Sequence, residues 1–394
     1  MLITADRVLA GPEAHTIHDG AVLVRDGLVA CVGPREEVQR CAGPDESRLV
    51  FHGATVLPGL IDAHVHLCFD AGPDPVAAFR EQDDATLFAA MKERAEQLLA
   101  AGVTTVRDLG DRNGLALRLA EQTAAGETAG PRILSAGTPL TPPGGHCWFL
   151  GGEVSGTTAI RDLVRRNAAA GARVIKVMAT GGGLTRGGAA SWESQFTADD
   201  LAAVVDEAHR AGLPVAAHAH GVDGIAAAVD AGVDTIEHCS WMTPTGFAVQ
   251  EDVLARAIER GIAVCPTVSP NWRMLPQFFG AERAEALFAA VRRMVEAGAR
   301  IVPGTDAGVQ RAAFGGLPGS LTFYEHLGLS PHRVLAMATA ESAAALGLGE
   351  RTGQITTGYS ADLLVVEGDP EDGLEVLEKV AAVFAAGRRH VPAG

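Results

Sequence analysis

From residue 58 to residue 352 one rhythm governs the chain: a short β-branched or apolar run, then an Ala-rich amphipathic stretch. Strand-like runs occupy Gly59–Leu67, Val103–Leu109, Arg132–Ala136, Arg173–Ala179, Pro214–His218, Val233–His238, Ile262–Pro266 and Arg300–Thr305. Helical periodicity falls on Ala85–Ala101, Ala159–Ala170, Ala198–Ala211, Asp223–Ala231, Val253–Arg260, Ala281–Ala297 and Pro331–Leu346. Strands alternating with helices form βαβ units and a parallel sheet. Eight such strands over residues 58–352 predict an α/β chain built on a (β/α)8 TIM barrel, a fold of roughly 250 residues. The alternative, an open doubly wound sheet, lacks its GxGxxG fingerprint after the first strand.

The two ends have a different texture. Leu2–Val8, Ala21–Val24, Leu28–Val32 and Leu49–His52 read as strands, with a turn at Asp26-Gly27; Gly353–Ile355, Asp362–Glu367 and Val380–Ala385 read likewise. Chain termini often lie close together, so residues 1–57 and 353–394 are expected to pair as one small β domain.

Composition excludes several functions. Lys plus Arg number 32 against 48 Asp plus Glu, a formal net charge of −16, which argues against nucleic acid or an anionic membrane surface as partner. No segment approaches the ~18 continuous apolar residues of a spanning helix, and Met1–Gly11 lacks the apolar core of a signal peptide. Six Cys with no close pair in sequence predict free thiols and a cytoplasmic, reducing setting.

Chemistry concentrates at the strand ends. In Pro58-Gly59-Leu60-Ile61-Asp62-Ala63-His64-Val65-His66, the two histidines share one face of a strand. Neutral imidazoles so placed are ready metal ligands; hydrogen bonding also satisfies an isolated pair of this kind, so the other candidates decide. Lys176 sits inside the apolar run Val174–Met178, where a lysine is rare unless paired or chemically used. His218, His238 and Asp306 close three further strands, the side on which barrel enzymes carry catalytic groups. From His66 to Lys176 is 110 residues, then 42 to His218, 20 to His238 and 68 to Asp306. These spacings put the candidates on predicted strands one, four, five, six and eight.

That pattern resembles the amidohydrolase superfamily of metal-dependent hydrolases over nearly the whole chain. The motifs that carry the likeness are PGLIDAHVH, VIKVMATGG, AAHAHG, IEHCS, GTDAG and the closing ADLLVVEGDP. The resemblance implies a small β-sandwich from both termini and two Zn²⁺ ions in a binuclear site. His64, His66 and Asp306 match the ligands of the first metal and His218 and His238 those of the second. Lys176 matches a lysine carboxylated by CO2, whose carbamate bridges both. It also implies hydrolysis of an amide-type C–N bond, with Asp306 passing a proton from water to the leaving nitrogen.

VIKVMATGG, SQFTADDLAAVVDEAH and PVAAHAHG look most like the branch of Xaa-Pro and other dipeptidases, alongside imidazolonepropionase-related enzymes. A small molecule, a dipeptide or an N-acyl amino acid is therefore the expected substrate. Opening of a cyclic amide or deamination of a nitrogen heterocycle is the alternative, and a catalytically silent barrel the remote one. Where many such dipeptidases carry a tyrosine two residues after the strand-five histidine, this chain has His220, a candidate to polarise the carbonyl or protonate an intermediate. His146, in Pro142-Pro143-Gly144-Gly145-His146, resembles a peptidase GGH segment and is a second candidate catalytic contact. Trp148, Trp192, Trp241 and Trp272 all follow predicted strands and are expected to wall an apolar pocket or, equally, to serve loop packing or a homo-oligomer interface. Arg186, Arg273 and Arg311 are candidates to meet a carboxylate if the substrate bears one, with surface solvation the alternative for each. Gly181-Gly182-Gly183 and Gly187-Gly188 are expected to permit tight turns. Cys68, Cys147 and Cys239 are expected to pack without ligating.

Overall fold

A computed structural model describes residues 1–390; positions 391–394 of the expected terminal domain lie outside the described residues. The strands are β1 (Leu2–Ala10), β2 (His15–Arg25), β3 (Leu28–Pro34), β4 (Arg48–Pro58), β5 (Leu60–Val65), β6 (Val103–Asp108), β7 (Arg132–Ser135) and β8 (Ile175–Met178). There follow β9 (Val215–Gly221), β10 (Thr235–Thr243), β11 (Gly246–Phe247), β12 (Ala263–Cys265), β13 (Arg300–Ile301), β14 (Leu363–Glu367), β15 (Val380–Ala385) and β16 (Arg388–His390).

All eight strand-like runs of the middle region contain a strand. They lie in two parallel sheets, β5-β6-β7 and β13-β12-β10-β9-β8, with the short β11 antiparallel to β10. β5 and β6 are buried at every position, as expected of strands covered on both faces. Backbone bonds also run between the two sheets' edges. Arg173 N–H donates to Ser135 O at 2.9 Å, Ala63 N–H to Pro303 O at 3.0 Å and Asp306 N–H to His64 O at 2.8 Å.

Each helix that the Ala-rich periodicity predicts is present, because each has one apolar stripe to bury; Leu115–Ala125 and Leu317–His326 are further helices it did not predict. Ala198–Arg210 covers the core with Leu201, Val204, Val205 and Ala208. It starts on a capping box, in which Thr197 and Asp200 each accept the other's backbone N–H. The run Pro331–Leu346 is interrupted by a π-helical turn at Met337–Glu341, where the Ser342 hydroxyl donates to Met337 O at 2.6 Å. Among the described residues no helix is long and apolar enough to cross a membrane.

Strands from both chain ends do combine, in a single seven-stranded sheet of order β16-β15-β14-β4-β1-β2-β3. The ends meet where β14 pairs antiparallel with β4. The sheet curls until its outer turns meet: Ala361 N–H donates to Gly27 O and Gly387 N–H to Ala361 O, both at 2.9 Å. Ile3, Val22, Val56, Leu363 and Phe384 fill the enclosed core. Gly353–Ile355, expected as a strand, has no strand pairing, and its Ile355 is instead buried in that core.

Candidate metal centre

Six imidazoles converge at the C-terminal ends of β5, β9 and β10. The ring centres of His64 and His66 lie 5.2 Å apart, and His64 and His238 are separated by the same distance. His218 stands 4.5 Å from His238 and 4.8 Å from His220. His220 stacks on His238 at 4.3 Å, and His146 approaches His218 at 4.5 Å. Asp306 Oδ1 reaches His64 Nε2 at 3.3 Å and His66 Nε2 at 3.6 Å. Two of the three groups of metal-ligand type among the described residues result, His64–His66–Asp306 and His218–His220–His238; the third, His64–Glu237–Cys265, lies behind His64.

The backbone is bent to achieve this. His238, Cys239 and Trp241 take φ of +68°, +46° and +57°, and Asp306 takes +59°. Left-handed conformations in residues other than glycine are costly and gather at functional sites. Gly304 contributes by close approach, since a Cβ there would stand 2.8 Å from the Cβ of His64.

Hydrogen bonds fix which nitrogen of each ring is free. His64 Nδ1 lies 2.8 Å from the Glu237 carboxylate, and His66 Nδ1 3.3 Å from Gly110 O. Both acceptors can only receive, so these nitrogens donate, and in the neutral form of each ring Nε2 keeps its lone pair. The Thr267 hydroxyl donates to Pro266 O, so His238 Nδ1, 2.7 Å away, is the donor to Thr267. In His218 the order reverses: Nε2 lies 3.0 Å from Gly181 O, leaving Nδ1 free. Burial holds His66 and His146 down at about 3 and His220 at about 4. Burial, then the neighbouring imidazoles, depress His218 and His238 further. His64 is the exception: burial and Lys176 push it down, but Asp306 and Glu237 outweigh them and raise it.

Lys176 lies among these groups, 1% exposed, and its Nζ has no hydrogen-bond partner. Burial lowers its pKa. Asp306 departs the other way: although burial favours the neutral acid, His64 and His66 hold its carboxyl well below the usual range. Facing lone pairs beside a carboxylate repel one another unless a cation sits among them. Neutral imidazole and carboxylate are donors that zinc and similar divalent ions take. The residues present therefore fit a metal.

Two residues outside the sequence reading organise the first group. Glu237 is fully buried and also accepts from Arg107 Nη2 at 2.8 Å, while Arg107 Nε donates to Ala63 O at 2.7 Å. Burial alone would raise the Glu237 carboxyl, but Arg107 and His64 keep it ionised. An imidazole oriented by a carboxylate is the usual second layer of a metal site. Glu237→Gln is thus expected to lower metal affinity by about 10–100-fold. It is also expected to destabilise the metal-free protein, by up to about 3–5 kcal/mol if Arg107 is left uncompensated. Zinc titration calorimetry and thermal unfolding check the two effects; unchanged affinity would leave Glu237 a packing residue. Asp62 plays a related part, accepting from Thr305 Oγ1 at 2.6 Å and from the His64 backbone N–H at 3.2 Å, which sets His64 beside Asp306.

Other expectations need correction. The four tryptophans do not form one wall. Trp241 is 1% exposed and points into the core, its indole N–H on Met294 Sδ at 3.3 Å. It lies inside β10 and not after it, in the stretch where the register against β9 shifts between His238 and Met242. Trp192 is exposed, and Trp148 lines a separate cavity with Arg80 and Arg186. Trp272 alone of the four lines the cavity that also reaches His220 and His238. The arginines are engaged elsewhere. Arg186 pairs with Asp74 at 3.1 Å, Arg273 lies 4.4 Å over Trp272 and donates to Thr322, and Arg311 lies 4.2 Å over Phe278. His146 is buried beside His218. The glycine triplet serves close approach: a Cβ on Gly182 would stand 2.5 Å from the His146 ring. Cys68, Cys147 and Cys239 are buried, and burial pushes the Cys147 thiol up to about 12. Cys265, near His64 and Glu237, is likewise held as a thiol by burial.

The family model described as "Amidohydrolase family" matches residues 55–389. The chain belongs to the amidohydrolase family. It is an enzyme, a hydrolase acting on amide-type C–N bonds. This amidohydrolase is 27% identical over 427 residues to an ochratoxinase of Aspergillus niger, covering 97% of this chain and 84% of that protein. It is 27% identical to an imidazolonepropionase of Symbiobacterium thermophilum, covering 90% of this chain and 85% of the relative. Among solved structures it resembles a Xaa-Pro dipeptidase with methionine bound in the active site. That match has a TM-score of 0.86 and 27% identity over 99% of both chains.

Proposed function

We propose that this amidohydrolase cleaves the amide bond of a dipeptide or N-acyl amino acid at a binuclear divalent-metal site. The observation that carries the reading is Lys176, a buried amine with no partner beside two groups of ligand atoms. As a carbamate it becomes an anion with two oxygens, able to serve both groups at once. His64, His66 and Asp306 would hold one ion, His218 and His238 the other, with zinc the ion these donors suit. When bound, such a pair supplies Lewis acidity that polarises the scissile carbonyl and makes water nucleophilic near neutral pH. Asp306 takes the proton of the attacking water on its carboxylate and returns it to the leaving nitrogen, so that the amine departs neutral. His220, held by Ser240 Oγ at 2.6 Å, orients the substrate carbonyl, and His146 closes the far side of His218.

The same reading joins the two parallel sheets into one (β/α)8 barrel over residues 58–352, supported by the backbone bonds between their edges. The curled terminal sheet, from residues 1–57 and 353 onward, stands as the sandwich-like second domain. A neighbour of the same fold is a Xaa-Pro dipeptidase that holds methionine in its active site, which supports an open-chain substrate. The similarity to an imidazolonepropionase favours the second reading, hydrolysis of a cyclic amide or deamination of a heterocycle.

A substrate panel on zinc-loaded protein separates them: Xaa-Pro and other dipeptides and N-acyl amino acids against cyclic ureides and aminoheterocycles. The expected result is release of free amine from open-chain amides, lost on chelation and restored by zinc. Turnover of the cyclic compounds alone, or a rate indifferent to metal, would overturn the proposal.

A further inference from the structure

We infer that a cavity on the His220–His238 side of the centre is a subsite for one uncharged apolar group, phenyl or branched aliphatic in size; this rests on the amide-hydrolase reading above. The cavity measures about 180 Å³. Its walls include Met242, Trp272, Leu287, Phe288, Val291 and Phe323. The Trp272, Phe288 and Phe323 rings pack edge to face with centres 5.1–6.0 Å apart, a rigid aromatic corner.

Polarity decides what enters. None of the lining residues is Asp, Glu, Lys or Arg. Of the three hydroxyls that line it, Ser240 is bonded to His220, Thr267 to His238 and Pro266, and Ser269 accepts from the Asn271 backbone N–H. A charged group placed there would lose its water and find no counter-charge, whereas an apolar one only loses water.

Size narrows the class. An apolar cavity of about 150 Å³ accepts a benzene molecule, so 180 Å³ takes one such group with little to spare. Whole small-molecule sites run to roughly 300–1,000 Å³, so the cavity receives a substituent and not the whole substrate. The larger cavity, about 350 Å³, is lined by Asp74, Arg80 and Arg186 and by no member of either ligand group. It offers charges where the smaller one offers none.

The test is a matched series of amides in which the acyl substituent and the amino-acid side chain are varied in turn as methyl, isobutyl, benzyl, carboxymethyl and aminobutyl. On one side of the scissile bond, benzyl or isobutyl is expected to exceed methyl in kcat/KM by at least about 10-fold, since even one methylene in an apolar pocket is worth about 10–200-fold. Both charged groups are expected to fall below methyl. Leu287→Trp, at a half-buried helix position where added bulk has room to adjust, is expected to cut the benzyl-to-methyl ratio at least about tenfold. Independently of turnover, benzyl alcohol is expected to change the tryptophan fluorescence of metal-free protein, and Trp272→Phe to remove that change. If amides are hydrolysed with metal dependence but charged or methyl groups are preferred on both sides, the subsite is wrong and the hydrolase reading survives. If no open-chain amide is cleaved yet the Trp272 signal responds, the apolar site stands and the dipeptide and N-acyl amino acid reading fails. Absence of both signals overturns both.

Discussion

Replacing Lys176 by methionine is expected to remove bound metal and activity while making the metal-free protein more stable. The two effects share one cause. A buried donor without an acceptor costs about 1–3 kcal/mol, and more if charged, and Lys176 Nζ is such a donor. Methionine fills similar volume with no polar hydrogen, so thermal unfolding of the metal-free variant should shift upward by an amount in that range. Elemental analysis should at the same time show metal lost, because the anion serving both ligand groups is gone. Lys176→Ala gives a further handle: a small carboxylate such as acetate, entering the space, should partly restore metal binding. In the native chain the modification is R–NH2 + CO2 → R–NH–COO⁻ + H⁺, so labelled bicarbonate should yield a carbamate carbon signal that Lys176→Met lacks. A lysine that merely held the fold together would behave oppositely, with stability lost and metal retained; that outcome would sink the assignment.

The same physics explains what could be read from the sequence. His64 and His66 were legible because a strand repeats every two residues, and His218 and His238 because apolar runs ended on them. Lys176 stood out as a charge inside such a run, yet Arg107 in Val103–Asp108 and Glu237 in Thr235–Thr243 carry the same signal. They form the buried pair that orients His64; asking of each strand charge what it pairs with finds them, though their mutual contact joins positions 130 residues apart. Trp241, expected after the strand Val233–His238, lies inside β10, which runs on to Thr243, and no local feature of His238-Cys239-Ser240-Trp241 announces three left-handed residues. The apolar corner against Trp272 was invisible for a related reason. Its walls come from β10 and from the helices Ala281–Glu296 and Leu317–His326, and the last of these was not anticipated at all.

Asp306→Asn is expected to lower kcat by about 10²–10⁴-fold, the range usual for losing a positioned general acid–base group, with a much smaller effect on the fold. The substitution suits the site. Asp306 sits at φ +59°, a conformation that asparagine tolerates better than most residues, so the backbone has little reason to move. Its backbone N–H continues to donate to His64 O. The carboxylate is lost, and with it the one nearby base that His64 and His66 keep ionised. An amide cannot take the proton of the attacking water or return it to the leaving nitrogen. Metal content should fall less than in Lys176→Met, because the imidazoles of both groups remain. The decisive comparison varies the leaving group. If Asp306 protonates the departing nitrogen, the variant's rate should depend more steeply on leaving-group basicity than the native enzyme's, with poor leaving groups losing most. An equal loss across the series would make Asp306 a ligand without a proton-transfer role, and full activity in the variant would remove it from the reaction.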